Sequence, residues 1–291
     1  MNRILITGAT GNVGLEVINY LVELKSSSRI FAGVRNVERA RKIFSDNNRI
    51  EFLEFDFEDP RTFDNALKNI DRVFLLRPPH ISQVEKFFKP LIESLKENNV
   101  KQIVFLSVQG VEKSSVIPHN KIEKLIKRYE FEYIFLRPSY FMQNLTTTLI
   151  DDIRQKRKII LPSGNAKFNW IDIKNIAEVS AILMDNFLLY RNQTIEITGY
   201  ENENFATVVS MINQQVKSPI QFESLNPLKF YLLKRVSETE KGKIIVMIFL
   251  HFLPRFQKEP QVSNFYEKLT GKKPTKLVDF IERELIKFEE H

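Results

Sequence analysis

Three glycines near the N-terminus are the first residues whose type and spacing point to chemistry: Gly8, Gly11 and Gly14. An apolar run at residues 4–6 precedes them, and apolar residues at helical spacing follow them. A strand that turns on glycines into a helix presents unpaired N–H groups and about half a positive charge to an anion. Gly8 can make the tight turn, Gly11 lets a diphosphate approach the backbone, and Gly14 lets the helix pack on the strand. The spacing therefore predicts a dinucleotide diphosphate site, with an ordinary strand-to-helix turn as the alternative.

Arg35 follows the second predicted strand, at the position where an NAD-selective site usually has an acid. The next acid along the chain is Glu38. A carboxylate would repel a phosphate on the adenosine ribose, whereas a guanidinium pairs with it through two hydrogen bonds. This strand end therefore favours NADP(H) over NAD(H), unless Arg35 simply points into solvent.

The ends of three later predicted strands also have polar residues where a cofactor would lie. Asp56 follows the third strand and can accept a hydrogen bond from an adenine amino group, with the Phe57 backbone along the same edge. A plain turn carboxylate is the alternative for Asp56. The fourth strand runs into Arg-Pro-Pro-His at residues 77–80, where two prolines enforce an extended exit, and Ser107 ends the fifth strand. In a doubly wound sheet these carboxyl ends line the cofactor cleft.

The elements that position these residues alternate regularly along the chain. Short apolar runs separated by helix-period segments predict six strands, at residues 4–6, 30–34, 50–55, 72–76, 102–106 and 133–136. Such alternation predicts βαβ units and so an α/β fold, a doubly wound parallel sheet with helices on both faces. Residues 194–198 predict a further strand of the same sheet.

The composition limits the kinds of chemistry that the chain can perform. Its 291 residues are 43% hydrophobic, which is enough for one large or two small cores. It has no cysteine, which excludes disulfides, thiolate nucleophiles and zinc–thiolate sites, and we expect no metal site. Met1 leads directly into the first strand without a signal-peptide pattern, so we expect a cytoplasmic protein.

Residues 244–253 form the most apolar run of the chain, and Pro254 ends it. The run is about half as long as a segment that crosses a bilayer. It therefore predicts a buried helix or the wall of a cleft, and no membrane span.

The net charge of +7 raises the question of an anionic partner. The densest basic patch is Arg154 with residues 156–158, but lysines and arginines occur along the whole chain and are mixed with 36 acids. No basic stripe interleaved with aromatic residues is present. A solvated helix end is thus the favoured interpretation of the patch, and nucleic-acid binding is not favoured.

Nine segments, in family order over most of the chain, resemble the NmrA-like branch of the atypical short-chain dehydrogenase/reductases. The pattern is close to the triphenylmethane reductases and NADPH quinone oxidoreductases of that branch. The matching segments are ITGATGNVG, VRNVERA, FDFED, FLLRPPH, VFLSVQG, HNKIEKLIK, YIFLRPSYFMQNL, WIDIKNIAEVSAIL and TIEITGYENENFATVV.

The resemblance implies positions for the cofactor-binding residues. It places Arg35 at the 2′-phosphate, Asp56 and Phe57 at the adenine, and Leu76 and Arg77 near the centre of the cofactor. It also implies a set of contacts to the pyrophosphate and adenosine, from Gly8, Thr10, Gly11, Asn12, Val13 and Gly14.

The resemblance further implies a division of the chain. A Rossmann-type NAD(P)-binding domain is expected over residues 1–137, completed by elements near 170–198. A smaller, mainly substrate-side domain is expected over residues 138–291, with 138–141 by the nicotinamide. Apolar and aromatic side chains beyond Pro227 suit the wall of a substrate pocket, and suit a plain core equally well.

The sequence departs from the usual reductase pattern at the proton donor. Short-chain dehydrogenases normally use a Tyr four residues before a Lys, and no tyrosine here has Lys at that position. By register with the family helix, Ser115 fills the Tyr position and His119 the Lys position. His119 can serve as the acid because its unperturbed pKa lies near the operating pH; capping the helix or bonding the cofactor ribose are the alternatives. Tyr140 is a second candidate, for holding substrate or for ordinary packing.

These observations predict an NADPH-dependent reductase that transfers hydride to a small apolar or aromatic acceptor such as a quinone, without the Tyr–Lys pair. Ser107, His119, Tyr140 and C-terminal aromatic residues would line the pocket at the nicotinamide. The alternative is a catalytically silent NADP(H)-binding redox sensor with a protein partner, since the missing pair motivates that interpretation too. Nucleic-acid binding through residues 154–158 is a third hypothesis.

Overall fold

The computed structural model describes residues 1–45, 47–115, 117–236 and 241–289. The strands are β1 Arg3–Ile6, β2 Arg29–Val34, β3 Ile50–Glu54, β4 Arg72–Leu75, β5 Gln102–Leu106, β6 Glu132–Pro138, β7 Tyr140–Phe141, β8 Lys158–Leu161, β9 Phe168–Ile171, β10 Gln193–Ile197, β11 Asn202–Glu203 and β12 Gln221–Ser224.

The α-helices are α1 Asn12–Glu23, α2 Val37–Ile43, α3 Phe63–Leu67, α4 Val84–Glu97, α5 Pro118–Arg128, α6 Ile150–Lys156, α7 Ile173–Asp185, α8 Phe205–Asn213, α9 Pro227–Val236, α10 Lys241–Phe252, α11 Phe265–Thr270, α12 Leu277–Arg283 and α13 Leu285–Glu289. Five 3₁₀ helices lie at Pro60–Thr62, Val111–Lys113, Met142–Thr146, Phe187–Tyr190 and Leu253–Phe256.

The chain forms two compact units. Unit 1 consists of Met1–Pro138 and Ile173–Ile197, and unit 2 consists of Ser139–Asp172 and Thr198–His291. Each unit is therefore discontinuous in sequence.

Unit 1 is built on a seven-stranded parallel sheet with the strand order β3-β2-β1-β4-β5-β6-β10. β1 is central, and the order reverses between it and β4, which makes this the topological switch point of the sheet. The predicted doubly wound parallel fold is confirmed, and the further strand predicted at residues 194–198 is β10, Gln193–Ile197, beside β6.

Alternate side chains of the strands of unit 1 enter cores on opposite faces of the sheet. Leu5, Val73 and Phe105 belong to a core that also contains the apolar faces of α3, α4 and α5. Their neighbours on the same strands are buried as well, and α1 packs against α7. Strands buried on both faces are continuous apolar runs, which is why the sequence identified them.

Unit 2 contains a three-stranded sheet in the order β11-β9-β7 and the parallel pair β12-β8. Its core packs around Trp170 and Phe205, whose ring centroids are 5.2 Å apart. Gly199 is required here, because an added Cβ would lie 1.5 Å from the Trp170 carbonyl oxygen. The buried Asn169 amide accepts the Gly199 N–H at 2.7 Å and donates to the Gly199 carbonyl at 3.2 Å.

The basic patch of α6 makes contacts within unit 2. Arg154 donates to the Lys287 carbonyl at 2.9 Å, and Lys156 pairs with Asp152 at 2.8 Å. Arg157 donates to the Phe288 carbonyl at 2.6 Å. These partners support the interpretation of the patch as a helix end rather than a nucleic-acid surface. Within the described ranges, no helix is long and apolar enough to cross a membrane.

Candidate functional site

The glycine-rich turn after β1 has the geometry that a diphosphate site needs. Gly8 has φ +60°, a left-handed conformation that favours glycine, and its carbonyl oxygen accepts the Gly11 N–H at 2.9 Å. A Cβ on Gly14 would lie 2.3 Å from that same oxygen. Gly14 therefore lets α1 approach the backbone of the turn itself, rather than the strand as the sequence suggested.

The N-terminus of α1 is open. Its N-cap residue is Gly11, in extended conformation, and within the described part of the chain no side chain caps the helix. The first turn has no acidic residue, and Thr10, Gly11 and Asn12 are exposed. The first-turn amides and the positive end of the helix dipole thus face solvent, which is the arrangement that binds an anion. Val13, in contrast, is buried.

Thr7 connects this turn to the end of β4. Its hydroxyl donates to the Phe74 carbonyl at 3.0 Å and accepts the Leu76 N–H at 2.9 Å. A Cβ on Gly8 would lie 3.2 Å from the Leu76 side chain. Leu76, predicted for the cofactor site, is therefore against the glycine turn. Thr7 was not identified from the sequence, although a buried hydroxyl at a strand end is the kind of residue that fixes neighbouring loops.

Arg35 lies one residue beyond β2 and is exposed. The Gly33 carbonyl accepts the Ala9 N–H at 3.5 Å, so the strand end that leads to Arg35 lies beside the glycine turn. Asn36 caps α2 by accepting the Arg39 N–H at 2.8 Å. Among the described residues no acid pairs with Arg35, so its guanidinium is available to an anion.

One oxygen of the Asp56 carboxylate accepts a hydrogen bond within its own turn. Its Oδ1 accepts the Glu58 N–H at 3.0 Å, and its backbone N–H donates to the Thr62 hydroxyl at 3.0 Å. This is the turn role that the sequence left open, and it leaves one carboxylate oxygen for another donor. Phe57 is buried in the core against Phe88, with ring centroids 5.5 Å apart.

Arg77 organises the loop after β4. Its Nη1 donates to the carbonyls of Pro78, Pro79 and Ile81 at 3.0, 3.2 and 2.6 Å. Its Nε donates to His119 Nε2 at 3.3 Å. Burial lowers the pKa of Arg77, which nevertheless stays a cation at neutral pH. The guanidinium thus holds the loop together and orients His119.

The contact with Arg77 fixes the protonation of His119. Since Nε2 accepts a hydrogen bond, the proton of the neutral ring lies on Nδ1. Burial and, after it, the Arg77 charge lower the pKa of His119 to about 3. The unperturbed pKa was the sequence argument for His119 as an acid, and this environment removes it. His119 is a neutral N–H donor, and it does not cap α5, whose N-cap residue is Ile117.

Ser107 belongs to a buried polar network. Its hydroxyl donates to Glu123 Oε1 at 2.6 Å. Arg137 donates to both oxygens of Glu123 at 3.0 and 2.7 Å, and to Glu112 at 2.8 Å. The Ser107 hydroxyl is therefore hydrogen-bonded to a carboxylate, and this bond ties the end of β5 to the middle of α5. Ser115 lies before α5 and is exposed.

Tyr140 forms a hydrogen-bonded pair with His251, both in unit 2. The Tyr140 hydroxyl lies 3.0 Å from His251 Nε2, and His251 Nδ1 lies 2.7 Å from the Met247 carbonyl oxygen. The carbonyl can only accept, so Nδ1 carries the proton and the tyrosine donates to Nε2. Burial raises the pKa of Tyr140, against the opposing effect of an Asn144 hydrogen bond, and burial lowers the pKa of His251 to about 4. Both groups are therefore neutral at pH 7.

An aromatic cluster surrounds this pair. The Tyr140 ring lies 4.9 Å from Trp170 and 5.3 Å from Phe168, measured between centroids. Of the C-terminal residues proposed as a pocket wall, His251 joins the cluster, while Phe249 and Phe256 are exposed. The partnership of Tyr140 with His251 spans 111 residues, so no local pattern could have revealed it.

Unit 1 thus brings the predicted glycines, Leu76 and the strand end before Arg35 around one turn, and separately joins Arg77 to His119. Tyr140 lies in unit 2. Within the described residues, no group of three or more His, Asp or Glu side chains could hold a metal ion.

A family model described as the NmrA-like family matches residues 1–199. The chain belongs to the NmrA-like family. The resemblance found in the sequence is therefore confirmed.

Two curated relatives cover most of the chain. This chain is 34% identical over 228 residues to Prestalk A differentiation protein A of Dictyostelium discoideum, and the alignment covers 78% of this chain and 74% of that protein. It is 28% identical over 227 residues to an NAD(P)H azoreductase of Xenophilus azovorans, covering 76% and 77% of the two chains.

Two solved structures have the same fold. The NADPH-dependent quinone oxidoreductase of Escherichia coli, complexed with NADPH, superposes with a TM-score of 0.85 at 20% identity, covering 97% of this chain and 99% of that one. The triphenylmethane reductase of Citrobacter sp., complexed with NADP(H), superposes with a TM-score of 0.82 at 18% identity, again covering 97% of this chain and 99% of that one. At these identities the likeness concerns the fold.

Proposed function

We propose that this NmrA-like protein is an NADPH-dependent reductase that transfers hydride to a small apolar or aromatic acceptor such as a quinone. The observation that carries the proposal is the open amide-lined turn between β1 and α1, which contacts the end of β2 just before Arg35. Arg35 is exposed and pairs with no acid among the described residues. The names of an azoreductase and a quinone oxidoreductase among the similar proteins support the same activity.

The residues of the turn fit the diphosphate of the cofactor. Three features matter: glycine where a Cβ would obstruct the backbone, first-turn amides open to solvent, and no acid in the first turn to compete. Gly8, Thr10, Gly11, Asn12, Val13 and Gly14 would hold the diphosphate and adenosine. The Leu76 side chain would bound the cofactor next to Gly8.

Arg35 would select the phosphorylated cofactor. Its exposed guanidinium at the end of β2 is suited to pair with a 2′-phosphate, while the remaining carboxylate oxygen of Asp56 and the Phe57 backbone would meet the adenine. A reduced nicotinamide, when bound, supplies the hydride.

The group nearest to a proton donor in the proposed site is His119, which is neutral. His119, held by Arg77, offers a neutral Nδ1–H that would orient an acceptor oxygen rather than an imidazolium that would protonate it. A quinone gains a stabilised oxyanion that takes its proton from water, so it does not need an enzymatic acid. Turnover should then be flat between about pH 5.5 and 8, because the pKa of His119, about 3, lies well below this range.

A catalytically silent NADP(H) sensor is the second candidate, and one observation favours it. The Ser107 proton is engaged by Glu123 and His119 is neutral, so neither replaces the missing tyrosine as an acid. Steady-state NADPH oxidation with a panel of quinones and azo dyes separates the two functions. Turnover supports the reductase, whereas tight, redox-selective cofactor binding with no turnover on any acceptor supports the sensor.

Calorimetric titration of Arg35→Asp with NADPH and NADH tests the cofactor assignment. A charge-assisted guanidinium–phosphate interaction is worth about 1.5–3 kcal/mol, so NADPH should bind at least about tenfold more weakly while NADH changes little. Lys42→Asp, an exposed charge reversal on α2, is the matched control and should leave both affinities unchanged. Equal losses for both cofactors in Arg35→Asp would show that Arg35 is not at the 2′-phosphate. Absence of binding to either cofactor by the unmodified chain would overturn the proposal.

A further inference from the structure

The apolar helix α10 is only partly buried. The sequence predicted a buried helix or cleft wall, but only one face of α10 is covered, with Ile244 at 0% and His251 at 1% exposure. The other face exposes Ile245, Val246 and Phe249 at 46%, 58% and 58%. Leu250 on the same face, and Leu253 and Phe256 in the following 3₁₀ helix, are exposed as well. Positions i, i+1, i+4 and i+5 lie on one side of a helix, so these residues form an apolar stripe.

The neighbouring helix α9, which packs against α10, has a second apolar stripe. Leu228, Leu232 and Val236 are spaced four residues apart and are exposed at 69%, 57% and 84%. Leaving so many large apolar side chains in water is unfavourable by about 25 cal/mol per Å² of apolar surface. Apolar patches of this kind usually mark a surface that binds something.

The net charge of this surface indicates what kind of partner it binds. Residues 227–258 contain seven lysines and arginines and two acids, so this segment supplies five of the seven net positive charges of the chain. Lys234 is partly buried, and the side chains of the other six basic residues reach the surface: Lys229, Arg235, Lys241, Lys243, Arg255 and Lys258. A partner for this surface must therefore be both apolar and anionic.

We propose that α9, α10 and the 3₁₀ helix Leu253–Phe256 bind the surface of an anionic lipid bilayer. Exposed apolar stripes bordered by lysine and arginine are typical of helices that lie in the plane of the interface, with the apolar residues at the acyl boundary and the charges at the headgroups. α10 has 12 residues and is about 18 Å long, too short for a hydrocarbon core of about 30 Å. It lies on the bilayer and does not cross it.

The alternative of a second copy of this chain is disfavoured by the same charges. A two-fold contact would bring this strongly basic segment against its own copy. Like charges placed opposite each other oppose association, whereas an anionic lipid surface attracts all six exposed basic residues at once.

Vesicle co-sedimentation of the full chain tests the proposal. Wild-type protein should sediment with vesicles of phosphatidylcholine and phosphatidylserine, and much less with phosphatidylcholine alone. The double variant Val246→Glu/Leu250→Glu changes two exposed positions and should bind at least about tenfold more weakly, because two apolar side chains no longer enter the lipid. Leu188→Glu/Leu189→Glu, two exposed leucines of unit 1, is the matched control and should bind like wild type.

The charge contribution is tested separately. Lys229→Gln/Lys241→Gln should lose about fivefold in vesicle affinity for each lysine, and the loss should shrink at high salt. Lys121→Gln/Lys124→Gln, two exposed lysines of α5, should bind like wild type. An unchanged circular-dichroism spectrum and an unchanged unfolding midpoint in every variant verify the fold. Because neither measurement needs a cofactor, the test is independent of the reductase activity.

Three outcomes would overturn the proposal. They are no sedimentation of wild type with the anionic vesicles, equal sedimentation of Val246→Glu/Leu250→Glu and wild type, and a wild-type dimer that this double variant converts to a monomer. The last result, measured by sedimentation velocity, would assign the surface to self-association.

Discussion

The buried Tyr140–His251 pair makes the stability of unit 2 depend on pH. In the folded chain the pKa of His251 is about 4, against 6.5 for an unperturbed histidine. Between these two pH values the unfolded chain therefore binds a proton at His251, whereas the folded chain does not. The resulting stabilisation is fully present above pH 6.5 and is lost progressively as the pH falls towards 4.

The size of the effect follows from the two pKa values. At about 1.4 kcal/mol for each pKa unit, His251 accounts for about 3 kcal/mol of unfolding free energy over the whole window. Between about pH 7 and about pH 5, protonation of His251 lowers the unfolding free energy by about 2 kcal/mol. This is a sizeable fraction of the total stability of a domain, which is about 5–15 kcal/mol.

Urea unfolding of wild type and His251→Gln at these two pH values measures the effect. Trp170 is the single tryptophan of the chain and its ring centroid lies 4.9 Å from that of Tyr140, so its fluorescence follows the unit in which His251 is buried. Glutamine does not titrate, so the variant should be less stable at neutral pH but should lose about 2 kcal/mol less than wild type on acidification.

His80→Asn is the control, since His80 is an exposed histidine of unit 1, outside the unit in which Trp170 lies. If His251→Gln and wild type lose equal stability between the two pH values, the histidine is not held neutral by burial. The assigned hydrogen bond from the tyrosine would then be wrong as well.

Three further substitutions give independent tests. Gly14→Ala should abolish NADPH binding in calorimetry, because its Cβ would lie 2.3 Å from a carbonyl oxygen of the preceding turn; wild-type affinity would contradict the geometry of that turn. Arg283→Ala should lower the unfolding free energy by about 3 kcal/mol, since it removes a 2.6 Å partner of the fully buried Asp172 carboxylate, and Arg283→Lys should restore part of it. Ser107→Ala should cost about 1–2 kcal/mol in urea unfolding followed by circular dichroism, since it removes a 2.6 Å hydrogen bond to Glu123; a neutral effect would argue against the buried network.

Most of the sheet of unit 1 could be predicted because its inner strands β1, β2, β4 and β5 are buried on both faces. Such strands are nearly continuous apolar runs. The predicted bounds agree with β1 to β6 within two residues. The glycine turn was equally accessible, because the positive φ of Gly8 and the close approach at Gly14 are backbone requirements that only glycine meets well.

Side-chain partners could not be predicted, because they depend on residues far apart in sequence. The hydrogen bond that Ser107 donates to Glu123, 16 residues later, is one such partnership. His119 was expected to titrate near neutral pH, but burial and, after it, the charge of Arg77, 42 residues earlier, lower its pKa to about 3. The exposure of α10 is a third case, since apolar composition alone does not show which face of a helix is covered.

The discontinuous path of unit 1 has a consequence for synthesis. β6 ends at Pro138, yet its outer neighbour β10 and the helix α7 that packs on α1 come only after residue 172. On a ribosome, the nascent chain therefore exposes an unpaired parallel edge and an uncovered helix until about 60 more residues have emerged, a period of several seconds at ordinary elongation rates. Expression of an N-terminal fragment that stops at the first boundary would leave both surfaces permanently uncovered.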